Sequence, residues 1–262
     1  MLPAVAIQIV NFKTAALLER CLATVVDDVQ ASGLEYEMHV IDNASGDDVE
    51  AIASRLPGCH AHTSERNLGF GGGQNRLAAI TAAPYMLFLN PDTEIEQPRT
   101  VERLLRALLE QPEARIAGPK LVDSAGAPQR WDHGRLRGLR AQTSLRGGHS
   151  HWRATDAAQD VAWVSGAAML IERGAFESVG GFDERFFLYK EDEDLCRRVR
   201  DSGGRVRYEP SIQVRHHGSV VAGRGPELER AEQQFIDKHF ADHRRRQRIF
   251  AWIHRALPYV RL

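Results

Sequence analysis

The chain has 262 residues, 43% hydrophobic and 26% charged, with a net charge of −1. Such a composition suits a folded domain with a sizeable core. It offers no electrostatic attraction to nucleic acid and contains no apolar run of membrane-spanning length.

Ala4 to Val10 is a β-branched run ending at Asn11, the pattern of a buried parallel strand. Leu17, Leu18, Cys21, Leu22, Val25, Val26 and Val29 form a helical stripe behind Thr14, a suitable cap. Tyr36 to Ile41 reads as a second strand and runs into the polar turn Asp42-Asn43-Ala44-Ser45-Gly46. A weaker helix over Val49 to Leu56 and a short strand near His60 follow. Gly69-Phe70-Gly71-Gly72-Gly73 then feeds a helix expected from Gln74 to about Thr81, and Tyr85 to Leu89 is a strand stopped by Asn90-Pro91-Asp92. Strands alternating with helices imply a doubly wound, mostly parallel α/β sheet with helices on both faces. Ligands in such sheets bind at strand carboxyl ends, where Asn11, Asp42, Asn43, Asn90 and Asp92 all fall.

Beyond Asp92, Val101, Leu104, Leu105, Leu108 and Leu109 mark another helix, and Ile116 to Val122 a strand. Ser124 to about Asp160 is rich in Gly and Arg and reads as a long loop. Val161 to Ile171 is apolar but interrupted at Ser165-Gly166, where backbone can approach a ligand. A short helix from Phe176 to Gly180 and a turn through Asp183 lead to Glu191-Asp192-Glu193-Asp194, which opens a helix reaching about Ser202. Strand-like stretches at Arg205 to Tyr208 and Ile212 to Val214 end at His216-His217. From Pro226 the chain looks helical and turns basic, with Arg244, Arg245, Arg246 and Arg248 ahead of Phe250, Trp252 and Leu257. Cys21, Cys59 and Cys196 are widely spaced, and the first residues lack a basic signal-peptide region. Reduced thiols and a cytoplasmic protein are therefore expected.

Three groups could carry chemistry. The glycines at 69–73 follow the third strand, so they do not fit a dinucleotide fingerprint. They provide either a tight helix entry or a close approach to a nucleotide sugar. Asp92 is either a turn former or a carboxylate at the mouth of an apolar strand. In the second role it could share Mg²⁺ with substrate phosphates, with His216 or His217 adding a nitrogen. The four acids at 191–194 suit a helix N-terminus, or one of them is a positioned base.

Val10-Asn11-Phe12, Val40-Ile41-Asp42-Asn43-Ala44-Ser45, Asn67-Leu68-Gly69-Phe70, Leu89-Asn90-Pro91-Asp92, Ser165-Gly166-Ala167, Gly181-Phe182-Asp183-Glu184 with Phe187, and Glu191-Asp192-Glu193-Asp194-Leu195 occur in this order. Together they resemble the ordered motifs of family 2 glycosyltransferases, most of all the bacterial rhamnosyltransferase-like branch, from residue 4 to about 220. The resemblance implies the GT-A fold over 1–225, with 1–92 binding a nucleotide sugar, 93–225 binding an acceptor, and 226–262 forming a basic helical extension. It implies an inverting transferase using dTDP-rhamnose, or another donor such as UDP-galactofuranose, UDP-glucose or GDP-mannose. A catalytically inactive sugar-nucleotide or glycan-binding protein is the alternative. Asn11, Asp42, Asn43, Asn67, Gly69, Asn75, Asn90 and Asp92 are implied for the nucleotide sugar, and Trp163, Gly166 and Asp183 for the acceptor. Asp92 and His216 are implied for Mg²⁺ or Mn²⁺, Asp192 as base, and Glu191 as its neighbour, leaving Glu193 and Asp194 to face solvent or a nearby arginine. A glycan or polyprenyl-diphosphate-linked acceptor for a cell-surface polysaccharide would agree with a basic tail resting on a membrane. Nucleic acid is not an expected partner, and a dimer is left open.

Overall fold

The computed structural model describes residues 4–134, 152–218 and 226–240. Strands β1 (Val5–Asn11), β2 (Tyr36–Asp42), β3 (Cys59–Thr63) and β4 (Tyr85–Leu89) run parallel. Helices α1 (Ala15–Ser32), α2 (Val49–Ala53) and α3 (Gly69–Ala78) connect them. After β4 come β5 (Thr93–Glu94), α4 (Thr100–Leu109), β6 (Ala114–Val122), β7 (His133–Gly134), β8 (Gln159–Asp160), β9 (Trp163–Val164) and β10 (Ala168–Glu172). Then α5 (Arg173–Ser178), α6 (Glu191–Asp201), β11 (Arg205–His216) and a helix α7 over 226–240 complete the described chain.

The main sheet has the order β3-β2-β1-β4-β10-β6-β11-β5, with β8 beside β11. β10 is antiparallel to both β4 and β6, while β11 is parallel to β6. The carboxyl ends of β1, β2, β4, β6 and β11 therefore share one edge, and β10 starts from that edge. Register puts Asn11 opposite Asp42 and Leu89 opposite Ala168. Residues from four different strands and the Ser165–Ala167 turn are thus gathered at one edge. The mixed, mostly parallel α/β architecture is the expected one.

Alternation along the strands divides the core into two layers. Ile7, Ile9, Val40 and Leu87 face α1, α2 and α4, whereas Ala6, Met86, Phe88 and Met169 face α3, α5 and α6. Buried Asp28 accepts hydrogen bonds from the backbone N–H groups of Thr100 and Val101 at 2.7 and 3.0 Å, which anchors the start of α4 on α1.

The observed elements differ from the expected ones at five places. α3 begins at Gly69, not Gln74, so the glycines lie inside the helix. They serve packing: a Cβ on Gly71 would meet Phe182 at 2.9 Å, and one on Gly73 would meet Val10 at 2.7 Å. β11 runs unbroken through Pro210, because a register shift between Glu209 and Gln213 removes the ladder bond proline cannot make. The expected Phe176–Gly180 helix lies earlier, at Arg173–Ser178. Thr14 does precede α1, but its hydroxyl donates to Asn11 Oδ1 at 2.7 Å, and Asp47 Oδ2 accepts from the N–H groups of Thr14 and Ala15. The presumed loop over 124–160 carries β7 and β8; residues 135–151 lie outside the described set. No helix among the described residues is long and apolar enough to cross a membrane.

Candidate active site

At the ends of β1 and β2 the polar side chains mostly bind one another. Asn11 is fully buried; its Nδ2 donates to Asp47 Oδ2 at 2.9 Å and Asp42 Oδ1 at 3.2 Å. Asp42 accepts from the backbone N–H groups of Ser45 and Gly46 at 3.0 and 3.2 Å and from the Ser45 hydroxyl. Asn43 donates to Asn67 Oδ1 and the Gly69 carbonyl at 2.8 and 3.0 Å, and it accepts from the Leu68 N–H at 2.9 Å. Asn67 Oδ1 also accepts from the Gly69 N–H at 2.9 Å. These residues are brought together as expected, and they hold the loop that starts α3. Asp47, which the sequence reading passed over, is the hub: Asn11 and two α1 amides hold its carboxyl below the usual carboxylate range.

At the ends of β4 and β11 lies a second corner. The backbone carbonyl of Asp92 accepts from the His217 N–H at 2.9 Å, and its Oδ2 accepts from the Gly218 N–H at 3.1 Å. His216 Nε2 lies 3.3 Å from Asp92 Oδ1 and 3.3 Å from Asn90 Nδ2. His217 turns instead to Glu94, with Nε2 2.9 Å from Oε1. Of the two histidines, His216 is therefore the one beside Asp92. Burial raises the Asp92 carboxyl, but the hydrogen bond and charge of His216 outweigh it and hold the group below its usual range. Among the described residues no cluster of three His, Cys, Asp or Glu side chains could hold a metal unaided. One carboxylate and one imidazole nevertheless fit a divalent cation that takes its other ligands from phosphate and water.

The acids of α6 differ sharply from one another. Glu191, Glu193 and Asp194 are buried, while Asp192 keeps partial exposure. Asp192 Oδ2 accepts from the Gly166 N–H at 3.0 Å, and its Oδ1 accepts from the Glu193 N–H at 2.7 Å. Burial pushes its carboxyl above the ordinary range despite these bonds and the charge of Lys190. Burial and the charge of Asp192 push Glu191 further up, and its Oε2 has no hydrogen-bond partner. Sequence pattern left open whether the helix dipole or crowding would govern Asp192; burial decides the direction. Neither Glu193 nor Asp194 faces solvent, but Asp194 does meet the nearby arginine that was the other expectation, Arg198. Glu193 pairs with Lys190 Nζ at 2.5 Å, and Asp194 accepts from Arg198, Lys238 and His239 at 2.6 to 2.7 Å.

Three expected contacts lie elsewhere. The Asn75 amide is engaged with the backbone N–H and carbonyl of Phe182, each at 2.9 Å, so it clamps the Gly180–Glu184 turn. Trp163 is only 5% exposed and packs in the α6-side core. Asp183 binds Arg185 and Lys238 at 2.5 and 2.7 Å, and these cations drive its carboxyl well below the usual range. Gly166, by contrast, touches Asp192 directly. The expected basic run Arg244–Arg248 lies outside the described residues. Helix α7 packs Phe235 against Phe186 and brings Lys238 and His239 to Asp194. No periodicity in the sequence announces that docking.

The sequence model of the family described as Glycosyl transferase family 2 matches residues 6–178. The N-acetylglucosaminyl-diphospho-decaprenol L-rhamnosyltransferase of Mycobacterium tuberculosis (strain CDC 1551 / Oshkosh) is 30% identical over 256 residues, covering 86% of this chain and 79% of the relative. The O-antigen chain rhamnosyltransferase WbaN of Salmonella anatum is 24% identical over 186 residues, covering 69% and 56%. Among solved structures, GalNAc-T7 with UDP, GalNAc and Mn²⁺ aligns with a TM-score of 0.67 at 14% identity, over 90% of this chain and 48% of that one. The mannosyltransferase PcManGT of Pyrobaculum calidifontis, in complex with GDP-Man and Mn²⁺, aligns with a TM-score of 0.62 at 17% identity, over 94% and 65%. The chain spans about half of the first of these structures, and both share its GT-A fold.

Proposed function

This chain belongs to glycosyltransferase family 2, and from that premise we propose that it transfers L-rhamnose from dTDP-rhamnose to a polyprenyl-diphosphate-linked glycan during synthesis of a bacterial cell-surface polysaccharide. The observation that carries the reading is Asp192. It is the one partly exposed acid of the Glu191–Asp194 cluster, fixed by the Gly166 N–H on the sheet edge that also bears Asp92. The rhamnosyltransferase of Mycobacterium tuberculosis acts, by its name, on N-acetylglucosaminyl-diphospho-decaprenol. That supports both the donor sugar and the lipid-linked acceptor.

In the proposed reaction an acceptor hydroxyl gives its proton to Asp192 as its oxygen attacks the anomeric carbon of the donor. The bond from that carbon to the diphosphate breaks in the same step, so configuration inverts and dTDP departs. The raised affinity of Asp192 for a proton suits a base that must take one near neutrality. Asp92 and His216 would hold Mg²⁺ or Mn²⁺, which when bound neutralises charge on the diphosphate. Residues 1–92 would hold the nucleotide, with Asn11, Asp42, Asn43 and Asn67 shaping its loop, and 93–225 the acceptor. The arginines of 244–261 would attract the anionic surface on which such an acceptor resides.

The test is an assay with polyprenyl-diphosphate-linked N-acetylglucosamine and four separate donors: dTDP-rhamnose, UDP-galactofuranose, UDP-glucose and GDP-mannose. Transfer of rhamnose with inversion is expected. Transfer from another donor alone would replace the sugar, and donor binding without any transfer would support an inactive binding protein.

A further inference from the structure

His216 is held from two directions. Its Nδ1 lies 2.6 Å from Gln129 Oε1, while Gln129 Nε2 donates to the backbone carbonyl of His216 at 3.1 Å. A carbonyl only accepts, so the second bond settles which end of the carboxamide faces the ring: its oxygen. That oxygen also only accepts, so Nδ1 carries a proton. Nε2 is then the nitrogen turned toward Asn90 Nδ2 and Asp92 Oδ1, each 3.3 Å away. With Nδ1 protonated, a lone pair left on Nε2 would point at a carboxylate oxygen, so the geometry calls for a positive charge between them: a proton, which gives Asp92 its hydrogen bond from His216, or a metal cation that takes the proton's place.

Gln129 is itself fixed. Its backbone N–H donates to the Leu121 carbonyl at 2.8 Å. Gly218, at φ +67, passes so close that a Cβ there would lie 2.9 Å from Gln129 Nε2. The N–H of the same glycine reaches Asp92 Oδ2 at 3.1 Å. Gln129, His216, Gly218 and Asp92 therefore form one clasp across the ends of β6, β11 and β4.

We infer that Gln129 is a positioning residue that commits His216 to the Nδ1–H tautomer and so presents Nε2 as a neutral ligand to a divalent cation shared with Asp92. This rests on the reading of Asp92 and His216 as the metal-holding pair. Outer hydrogen-bond partners of ligating histidines orient the ring, and their loss typically weakens metal affinity about 10–100-fold.

The test uses the full chain and its Gln129→Leu, Gln129→Glu and His216→Ala variants. Mn²⁺ binding, alone and with dTDP, is followed by the electron paramagnetic resonance of free Mn²⁺. The His216 tautomer is read from nitrogen-15 chemical shifts, assigned by their loss in His216→Ala. Gln129→Leu is expected to weaken Mn²⁺ binding about 10–100-fold and to move His216 to the Nε2–H form. Gln129→Glu, which still accepts from Nδ1 but loses the donation to the His216 carbonyl, is expected to keep the Nδ1–H tautomer and more of the affinity than Gln129→Leu. The inference is overturned if Gln129→Leu keeps the parental affinity, if affinity falls with no change of tautomer, or if Gln129→Glu fails as Leu does. Absent Mn²⁺ binding by the parent, or binding unaffected by His216→Ala, overturns the metal-holding pair itself and this inference with it.

Discussion

Gly69 sits against the carbonyl of Phe187. A Cβ on Gly69 would lie 2.2 Å from that oxygen, and the next residue, Phe70, donates its N–H to it at 3.1 Å. The loop held by Asn43 and Asn67 is thus joined directly to the segment leading into Asp192, and the joint requires an absent side chain. Gly69 also has φ +74, a conformation that strains any L side chain. Gly69→Ala is expected to destabilise the fold by about 2–5 kcal/mol in urea unfolding, combining backbone strain and overpacking. Gly174→Ala is the control. Its Cβ would meet only Glu172 Oε1 at 3.8 Å, so it should be neutral or stabilising by up to about 1 kcal/mol.

Asp192→Asn is expected to lower kcat about 10²–10⁴-fold while leaving donor binding at its parental strength, measured by calorimetry without acceptor. Glu191→Gln should cost far less, because burial already favours the protonated Glu191 that a glutamine imitates. A larger loss in Glu191→Gln than in Asp192→Asn would exchange their roles. Gly166→Ala places a Cβ 3.0 Å from the Phe70 ring and 3.5 Å from Asp192 Cβ. It should reduce kcat with little change in stability.

Much of this arrangement could be read from residues alone, for definite reasons. The apolar runs ending at Asn11, Ile41 and Leu89 gave the strands, and polar residues at their ends marked the ligand edge. Asp192 emerged from the ordered motifs. Partners were harder to see. Asn75 occurs beside the glycines in sequence, but a helix starting at Gly69 carries it down to Phe182, away from the strand ends. Trp163 falls in an apolar run whose pattern does not show which side chains are buried, and the fold packs it inside. The docking of Lys238 and His239 on Asp194, and of Gln129 on His216, joins positions 44 or more residues apart, beyond the reach of any local pattern.

Glu193 gives stability an unusual pH dependence. Burial, opposed by Lys190, raises its pKa from 4.5 to about 7. A raised folded-state pKa contributes stability that is fully present below the unfolded value and lost as pH rises through the folded one. Between pH 4.5 and 7 the parent should therefore lose on the order of 2–3 kcal/mol relative to Glu193→Gln. Urea unfolding of both proteins across that window measures the difference. A parent that gains on the variant as pH rises would show that the Lys190 pair, not burial, controls Glu193.

Asp194 should behave in the opposite sense. Burial alone would raise its carboxyl, but hydrogen bonds from His239 and Lys238 and the charge of Arg198 outweigh it and hold the group below 3.8. A depressed pKa contributes stability present above the ordinary carboxylate range and lost as pH falls through the folded value. Asp194→Asn leaves Arg198, Lys238 and His239 without their buried carboxylate acceptor and is expected to cost about 3–5 kcal/mol near neutrality. Lys238→Met removes one of three donors, leaves Arg198 and His239 in place, and should cost less, about 1–3 kcal/mol. The gap between parent and Asp194→Asn should narrow as pH drops below 3.8, where Asp194 of the unfolded chain takes up its proton ahead of the folded one. Helix α7 reaches α6 through this carboxylate and the Phe240–Arg197 contact, and the segment before α6 through Phe235–Phe186 and Lys238–Asp183. Hydrogen exchange across 226–240 should therefore accelerate in Asp194→Asn and, more weakly, in Lys238→Met. Unchanged protection in both variants would mean that the packing of Phe235 on Phe186 and of Phe240 on Arg197 is enough to hold α7 in place.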